Sequence, residues 1–343
     1  MGELTNNKRI TWVDTAKCIC IIFVLFSHME YVPTYLQYFF RPFFLTGFFF
    51  LSGYTFKATG TFLTFFKKRT LTVFWPALLF SVIGLIDFGN LINGTYSFSA
   101  YIQDLSVLLR QQRGEGDVYW FLYVLYFSEL AFYFVAKYLD NKKGLLTSFV
   151  LCELSIIYVK HFMQEVPYWY VHIIFVAMFF VALGFYFRRA EMQKPEAFEI
   201  LNHRYVVVVA TFGYLLIVII DALVFGKQAN INEYELPQIM WFLTVLTGVL
   251  FCIEVAKMLP VNKLVQYCGR NTLVFYLFND RVRRAINAVI KAVGFYDFVS
   301  LNLVTKTITC VVVCIVEIPI FMLISYIINR FFPFLLGRSY KKS

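Results

Sequence analysis

Charged residues are scarce in this chain of 343 residues. Asp, Glu, Lys and Arg make up 15% of it, and 60% is hydrophobic. A soluble domain would carry roughly a quarter charged residues, so an ordinary soluble protein is excluded. Aromatic residues make up 20%, as expected for a protein whose Trp and Tyr side chains form belts at both membrane surfaces. The composition therefore predicts an all-α, polytopic integral membrane protein.

Several chemical signatures are missing as well. The seven cysteines are odd in number, lie mostly in apolar runs and form no C-x-x-C pair, which argues against a disulfide framework and a zinc site. His161, His172 and His203 share no metal-ligand spacing, so we expect no metal. We also find no phosphate-binding glycine loop and no serine-hydrolase elbow.

The net charge of +10 does not indicate nucleic acid as a partner. The basic residues lie between apolar segments rather than on a soluble module, so the expected partner is the lipid bilayer. A cleaved signal peptide is not expected either, because Asp14 and Lys17 lie where its apolar region would be and no small-residue cleavage site follows.

Ten apolar runs predict about ten transmembrane helices in a single domain, 1–343, with no fused soluble domain. The runs are 11–30, 35–56, 71–92, 118–138, 145–162, 168–187, 204–225, 237–258, 270–290 and 303–330. The ninth contains Asn279, Asp280 and Arg281, and we expect it to break or re-enter. The tenth is expected to kink at Pro319.

The distribution of Lys and Arg predicts the orientation. With the N-terminus in the cytoplasm, 20 of these residues lie in cytoplasmic segments and 10 in segments on the other side. Cytoplasmic loops carry the excess of Lys and Arg, so both termini should be cytoplasmic. We expect a multi-pass protein of a cell membrane, the cytoplasmic membrane of a bacterium.

The first apolar run carries ionisable residues, which are costly in a membrane helix and face a polar interior by default. Lys17 and His28 are eleven residues apart, about three helical turns, so they share one face at roughly 16 Å along the axis. Ile21 and Val24 lie on the face between them. The helix thus offers a cation near the cytoplasmic surface and a titratable base toward the other side.

The sequence WVDTAKCICIIFVLFSHM resembles the first helix of the membrane acyltransferase family 3, whose members acylate sugars and other hydroxyl compounds. The family pattern is a basic residue, ten residues and a histidine, here Lys17 and His28. Four later stretches are similar to the family in order: FFLTGFFFLSGYTFK (43–57), FFKKRTLTVFWP (65–76, a basic loop leading to a proline), YWFLYVLYFSEL (119–130) and CGRNTLVFYLFND (268–280).

The resemblance implies an O-acyltransferase, in the first place an O-acetyltransferase of polysaccharide biosynthesis. Acetyl-coenzyme A would be the co-substrate, and a hydroxyl of a cell-surface sugar, polysaccharide or lipid-linked glycan the acceptor. His28 would be the general base, because histidine titrates near neutral pH. Lys17 would neutralise phosphate or pantetheine groups of the donor. Alternatively, Lys17 forms an i,i+3 ion pair with Asp14.

The remaining donor contacts implied are Arg9, Lys68, Arg69 and Asn271. The basic residues are equally explained as charges that set topology. In this family the basic loop often reads Arg-x-x-Arg, whereas here Thr72 follows Arg69 at that spacing, which weakens the match. The late helix often closes on a histidine, where this chain has Asn279 and Asp280.

On the acceptor side the candidates are Trp120, Tyr123, Glu129, Arg281 and Arg284. Aromatic rings can stack on sugars, and the arginines suit an anionic acceptor, although belt anchoring also explains the aromatic residues. Ser52 and Gly53 are supporting residues, since small residues allow close helix packing or leave room for a thin acyl chain.

Two other functions remain open. One is a transporter or flippase of glycan precursors, in which the polar first helix lines a pathway. Transporters often contain inverted repeats and matching broken helices, and this sequence shows no such symmetry. The other is a sensor or scaffold that keeps the fold without the chemistry.

Overall fold

The structure is a computed structural model that describes residues 10–85, 98–112, 119–295, 298–299 and 301–339. Regular structure in these ranges is helical, apart from one isolated bridge between Asn230 and Glu233. In chain order the main helices are α1 (Thr11–Ser27), α2 (Thr34–Phe40), α3 (Phe44–Tyr54), α4 (Phe62–Leu85), α5 (Phe98–Arg110), α6 (Trp120–Tyr138), α7 (Asn141–His161), α8 (Tyr168–Gln193), α9 (Arg204–Phe225), α10 (Gln238–Met258), α11 (Lys263–Arg270), α12 (Thr272–Ala292) and α13 (Leu303–Phe331).

Seven of the described helices are long and apolar enough to cross a membrane, namely α4, α6, α7, α8, α9, α10 and α13. The all-α membrane architecture is therefore confirmed. The count of ten spans and the cytoplasmic termini stay predictions. α1 has 17 residues and ends at Ser27, so His28 caps the helix rather than lying inside it.

Two predicted spans differ from the structure. The run 35–56 is not one helix but α2 and α3, separated at residues 41–43. Pro42 explains the interruption because it has no backbone N–H to continue the helical hydrogen bonds. By contrast, α12 runs through Asn279, Asp280 and Arg281 without the break that we expected. Pro319 lies inside α13.

Residues 65–70, predicted as a basic loop before the span 71–92, are helical. α4 begins at its N-cap Thr61, whose hydroxyl accepts from the Thr64 N–H at 3.3 Å. The helix widens to a π turn over Thr70–Phe74 just before Pro76. Such a turn accommodates a disturbed hydrogen-bond ladder and is frequent at functional sites. α4 therefore starts nine residues before the predicted span 71–92, whose last residues lie outside the described part of the chain.

A second helix begins early because of its cap. α7 starts at Asn141, ahead of the predicted 145, because the Asp140 side chain accepts from the Lys143 N–H at 2.9 Å. The same hydrogen bond stabilises the charged carboxylate and lowers the pKa of Asp140. α5 is a further addition, since the sequence predicted only a connection there.

The chain divides into two compact units. The first comprises Met1–Phe48, Pro195–Ala229 and Gln238–Met322, and the second comprises Phe49–Lys194, Asn230–Pro237 and Leu323–Ser343. In the first unit α1 packs against α10, α11 and α12. A Cβ at Gly269 would lie 1.8 Å from the Asp14 carbonyl oxygen, so only glycine allows α11 to approach α1 this closely.

In the second unit α8 packs against α6 and α7, and it also crosses α3 through two glycines. A Cβ at Gly53 would lie 1.9 Å from the Val181 carbonyl oxygen, and a Cβ at Gly184 would lie 1.9 Å from the Phe50 carbonyl oxygen. Gly53 therefore serves close backbone packing, as small residues do in membrane helices. This crossing places the neighbouring Ser52 next to the polar site described below.

Candidate active site

The residues that spacing predicts on one face of α1 differ in burial. Lys17 is half-buried, and Ile21 and Val24 on the same face are buried in the first unit. His28, at the C-terminal end, has an exposed side chain. The helix thus runs from a partly buried cation, past a covered apolar stretch, to an accessible imidazole.

The N-terminal end of α1 is fixed by polar contacts to α11. The buried Asp14 carboxylate accepts from Arg270 Nε at 3.1 Å, with 5% of the Asp14 side chain exposed. Gln266 Nε2 donates to the Thr11 carbonyl at 2.9 Å and to the Thr15 hydroxyl at 3.0 Å. The sequence offered Lys17 as the partner of Asp14, and the structure shows that Arg270, 256 residues further on, is one.

Asn271 lies at the junction of α11 and α12. Its side-chain amide donates to the Tyr267 carbonyl at 2.9 Å, and it occupies the N-cap position of α12 without a side-chain capping bond. Its structural role is thus to close α11. Its predicted contact with the donor stays a prediction.

The C-terminal end of α1 meets the basic turn of α12. Arg283 Nη1 donates to the His28 carbonyl oxygen, and Arg283 Nη2 donates to Asp280 at 2.8 Å. Arg284 pairs with the same carboxylate at 2.7 Å and is 75% exposed. Asp280, Arg283 and Arg284 of this span therefore form a charged cluster, and Arg283 holds the backbone of His28.

The sequence marks Arg283, with Arg281 and Arg284, as a candidate for an anionic acceptor, but the site prediction did not choose it. The prediction chose Arg281 and Arg284 for their charge, and all three arginines look alike in sequence. The spacing from Asp280 distinguishes two of them, because positions i+3 and i+4 face the same side of a helix. It does not reveal the partner on α1, which only the packing of the two helices supplies.

A second polar site lies in the other unit. A cavity of about 410 Å³ is lined by cations, hydroxyls and aromatic rings. The cations are Lys57, Lys68 and Arg69. Two of them are predicted donor contacts. A third predicted contact, Arg9, lies outside the described residues.

Glu129 lies in this cavity too. Its carboxylate, 2% exposed, forms an ion pair with Arg69 and accepts from the Ser52 hydroxyl at 2.5 Å. The prediction placed Glu129 with the acceptor and Ser52 as a supporting residue. The structure brings both to the predicted donor cations instead.

Trp120 and Tyr123 are 7% and 1% exposed, respectively. The Tyr123 hydroxyl bonds to Ser81 at 3.1 Å. The Tyr123 ring also meets the ring of the half-buried Trp169 edge-on, with centroids 5.9 Å apart, and Trp169 is held at φ 55°. A non-glycine residue in this conformation is uncommon. Sequence gives no sign of such a left-handed residue at a helix start.

The described residues contain no group of three or more His, Cys, Asp and Glu side chains that could hold a metal ion. The polar atoms of both sites are instead those that bind anions and hydroxyl groups. Guanidinium and ammonium groups suit phosphates, and an exposed imidazole suits proton transfer.

Comparison with known proteins identifies one family. A family model described as an acyltransferase domain matches residues 10–330. That range includes α1 with Lys17 and His28, the basic cavity and the charged cluster of α12. The comparison with curated proteins gives no match, and neither does the comparison with solved structures.

Proposed function

The chain belongs to the membrane acyltransferase family 3, and from this premise we propose that it moves an acetyl group from coenzyme A to a sugar hydroxyl. Membership makes it a membrane enzyme that transfers acyl groups other than aminoacyl groups. The acetyl donor, its entry from the cytoplasm and a glycan acceptor are the proposed part. The exposed His28 at the end of the family's basic-x10-histidine pattern carries the proposal.

The chemistry requires one base. The acceptor hydroxyl oxygen attacks the thioester carbonyl, a carbon–oxygen bond forms and the carbon–sulfur bond breaks. The imidazole of His28 accepts the hydroxyl proton as the oxygen attacks. The same proton then passes to the departing thiolate, so that no net proton is consumed. Such base catalysis contributes 10²–10⁴-fold to a rate.

For the donor we propose the basic cavity of the second unit. Lys57, Lys68 and Arg69 supply three positive charges next to hydroxyl and aromatic side chains. Coenzyme A carries several phosphates, and charge-assisted hydrogen bonds to such groups are the strong ones. Lys17 on α1 stays a proposed donor contact.

For the acceptor we propose a sugar of a cell-surface polysaccharide or a lipid-linked glycan, which would make the enzyme part of polysaccharide biosynthesis in a bacterial cytoplasmic membrane. The cluster next to His28 supports this assignment. Arg281 and Arg284 on α12 would attract an anionic glycan, and Arg284 is exposed.

Release of the coenzyme A thiol tests the enzyme class without an identified acceptor. We expect the purified protein in lipid to hydrolyse acetyl-coenzyme A slowly, because water can replace the acceptor hydroxyl. A thiol reagent detects the product, and all seven native cysteines are buried, which keeps the background low. No thiol release with any added glycan fraction would favour the transporter or flippase.

The proposed topology predicts a labelling pattern. Cysteines introduced as Gln103→Cys and Glu196→Cys would both be exposed, the first in α5 and the second after α8. An impermeant maleimide added to intact cells should label Gln103→Cys only, and Glu196→Cys should react after permeabilisation. The reverse pattern would show that the orientation is wrong.

The contact between Arg283 and His28 predicts a positioning effect. Arg283→Ala removes the donor to the His28 carbonyl, so the histidine backbone loses one restraint. We expect turnover to fall roughly fivefold, the equivalent of about 1 kcal/mol for one net hydrogen bond. Coenzyme A binding should not change. Unchanged turnover in a folded Arg283→Ala protein would show that this contact does not position the base.

A further inference from the structure

An acid in the wall of a cavity lined by three cations needs an explanation. Glu129 is 2% exposed in α6, and a buried carboxylate is costly unless it is paired and hydrogen-bonded. Both requirements are met, since Arg69 pairs with it and Ser52 donates to it. These partners come from α4 and α3, so Glu129 joins three helices at one cavity.

The residue that follows Arg69 in the chain is also held in place. The π turn begins at the next residue, Thr70, whose hydroxyl lies 2.8 Å from the Tyr126 hydroxyl. Tyr126 is on α6, three residues before Glu129. One helix therefore holds both the backbone that follows Arg69 and its guanidinium. Arg69 Nε is buried without a hydrogen-bond partner, so the guanidinium keeps a donor that Glu129 does not use.

Charge alone would make Glu129 unfavourable here. The cavity has three cations, Lys57, Lys68 and Arg69, and Glu129 as its acid. A carboxylate repels an anionic ligand, so its removal should tighten phosphate binding if electrostatics were the whole account. Its presence is explained if it acts on Arg69 rather than on the ligand.

We propose that Glu129, held by Ser52, is the positioning residue of the donor site, fixing the Arg69 guanidinium in the cavity wall so that it receives a phosphate. The proposal rests on the proposed function, because it assumes that coenzyme A occupies this cavity. Glu129 thereby moves from the acceptor to the donor side of the reaction.

The physical gain is preorganisation. An arginine side chain loses its rotamer freedom when it is ordered, a cost that a ligand must otherwise offset when it binds. A planar guanidinium can bond a carboxylate along one edge and a phosphate along another. Ser52 holds the carboxylate so that this geometry exists before the donor arrives.

The test is a substitution that should weaken coenzyme A binding if Glu129 positions Arg69, and tighten it if Glu129 only repels the phosphates. Glu129→Gln removes the negative charge but keeps the side-chain shape. We expect coenzyme A to bind 3- to 10-fold more weakly and the donor KM to rise by a similar factor. The acceptor KM and kcat at saturating donor should stay near the wild-type values, a split that general destabilisation would not produce.

Glu191→Gln is the matched control. Like Glu129, Glu191 accepts from a hydroxyl of α3, Tyr54 at 2.5 Å, but it does not line the cavity. We expect the Glu191→Gln protein to bind coenzyme A as tightly as the wild type does. Equal or tighter binding of coenzyme A by Glu129→Gln would overturn the proposal.

A second variant covers the case in which Glu129→Gln does not fold. Ser52→Ala removes the hydroxyl that orients the carboxylate, and we expect a two- to threefold loss of donor affinity; no loss would overturn the proposal. A folded wild-type protein that binds no coenzyme A would refute the donor assignment itself. That result is distinct from one in which the wild-type protein binds coenzyme A and the Glu129→Gln and Ser52→Ala proteins bind it equally tightly.

Discussion

Replacement of His28 by glutamine is expected to lower acyl transfer 10²- to 10⁴-fold, the typical loss on removal of a general base. Glutamine keeps a similar hydrogen-bonding shape but cannot take up the hydroxyl proton. Because His28 follows the last residue of α1 and its side chain is exposed, the protein should still fold, insert and bind coenzyme A. The measurement is initial-rate transfer from acetyl-coenzyme A, with donor binding as the folding check.

The matched control is His161→Gln. His161 is also exposed at the end of a helix, α7, but it belongs to the other unit and lies outside the candidate sites, so its turnover should equal that of the wild type. The pH–rate profile of the His28 variant should lose the limb that titration of the general base produces. More than about a tenth of wild-type turnover in the His28→Gln protein would show that His28 is not the base.

Replacement of Arg69 by alanine is expected to weaken coenzyme A binding roughly 10- to 150-fold, since a hydrogen bond to a charged group contributes about 1.5–3 kcal/mol. Lys17→Ala should weaken binding for the same reason. Lys143→Ala is the control, because Lys143 is an exposed cation of the same unit as Arg69, pairs with Asp140 at 3.6 Å and does not line the cavity. Calorimetry on the protein in lipid gives the dissociation constants.

One complication of Arg69→Ala is that it leaves the buried Glu129 without its cation. An unpaired buried charge is strongly destabilising, so weaker binding alone could reflect misfolding. The double variant Arg69→Ala/Glu129→Gln removes both charges and separates the two effects. If folded single and double variants bind coenzyme A as tightly as the wild type, these cations serve topology and not the donor.

The sequence predicted the helices that long apolar runs define, such as α9 and α10, within a residue of their observed bounds. It failed where a local feature outweighed hydropathy. Pro42 divides the run 35–56 into α2 and α3, and the cap at Asp140 extends α7 toward its N-terminus. Such features depend on single hydrogen bonds, which an average over about twenty residues does not resolve.

The site was predictable to the extent that one helix determines it. Lys17 and His28 share a face because helical geometry requires it, and the family pattern then assigns their chemistry. The partners of charged residues were not predictable, because they come from distant segments. Arg270 reaches Asp14, Arg283 reaches the His28 carbonyl and Glu129 reaches Arg69 only once the helices are packed.

Transfer of a radiolabelled acetyl group tests the central claim most directly. The purified protein in lipid would be incubated with acetyl-coenzyme A labelled in the acetyl group and with glycan extracted from the source cells. The account predicts label in the glycan that mild base releases as acetate, and its loss in the His28→Gln protein. Label that never enters the glycan, or enters it equally with His28→Gln, would contradict the account.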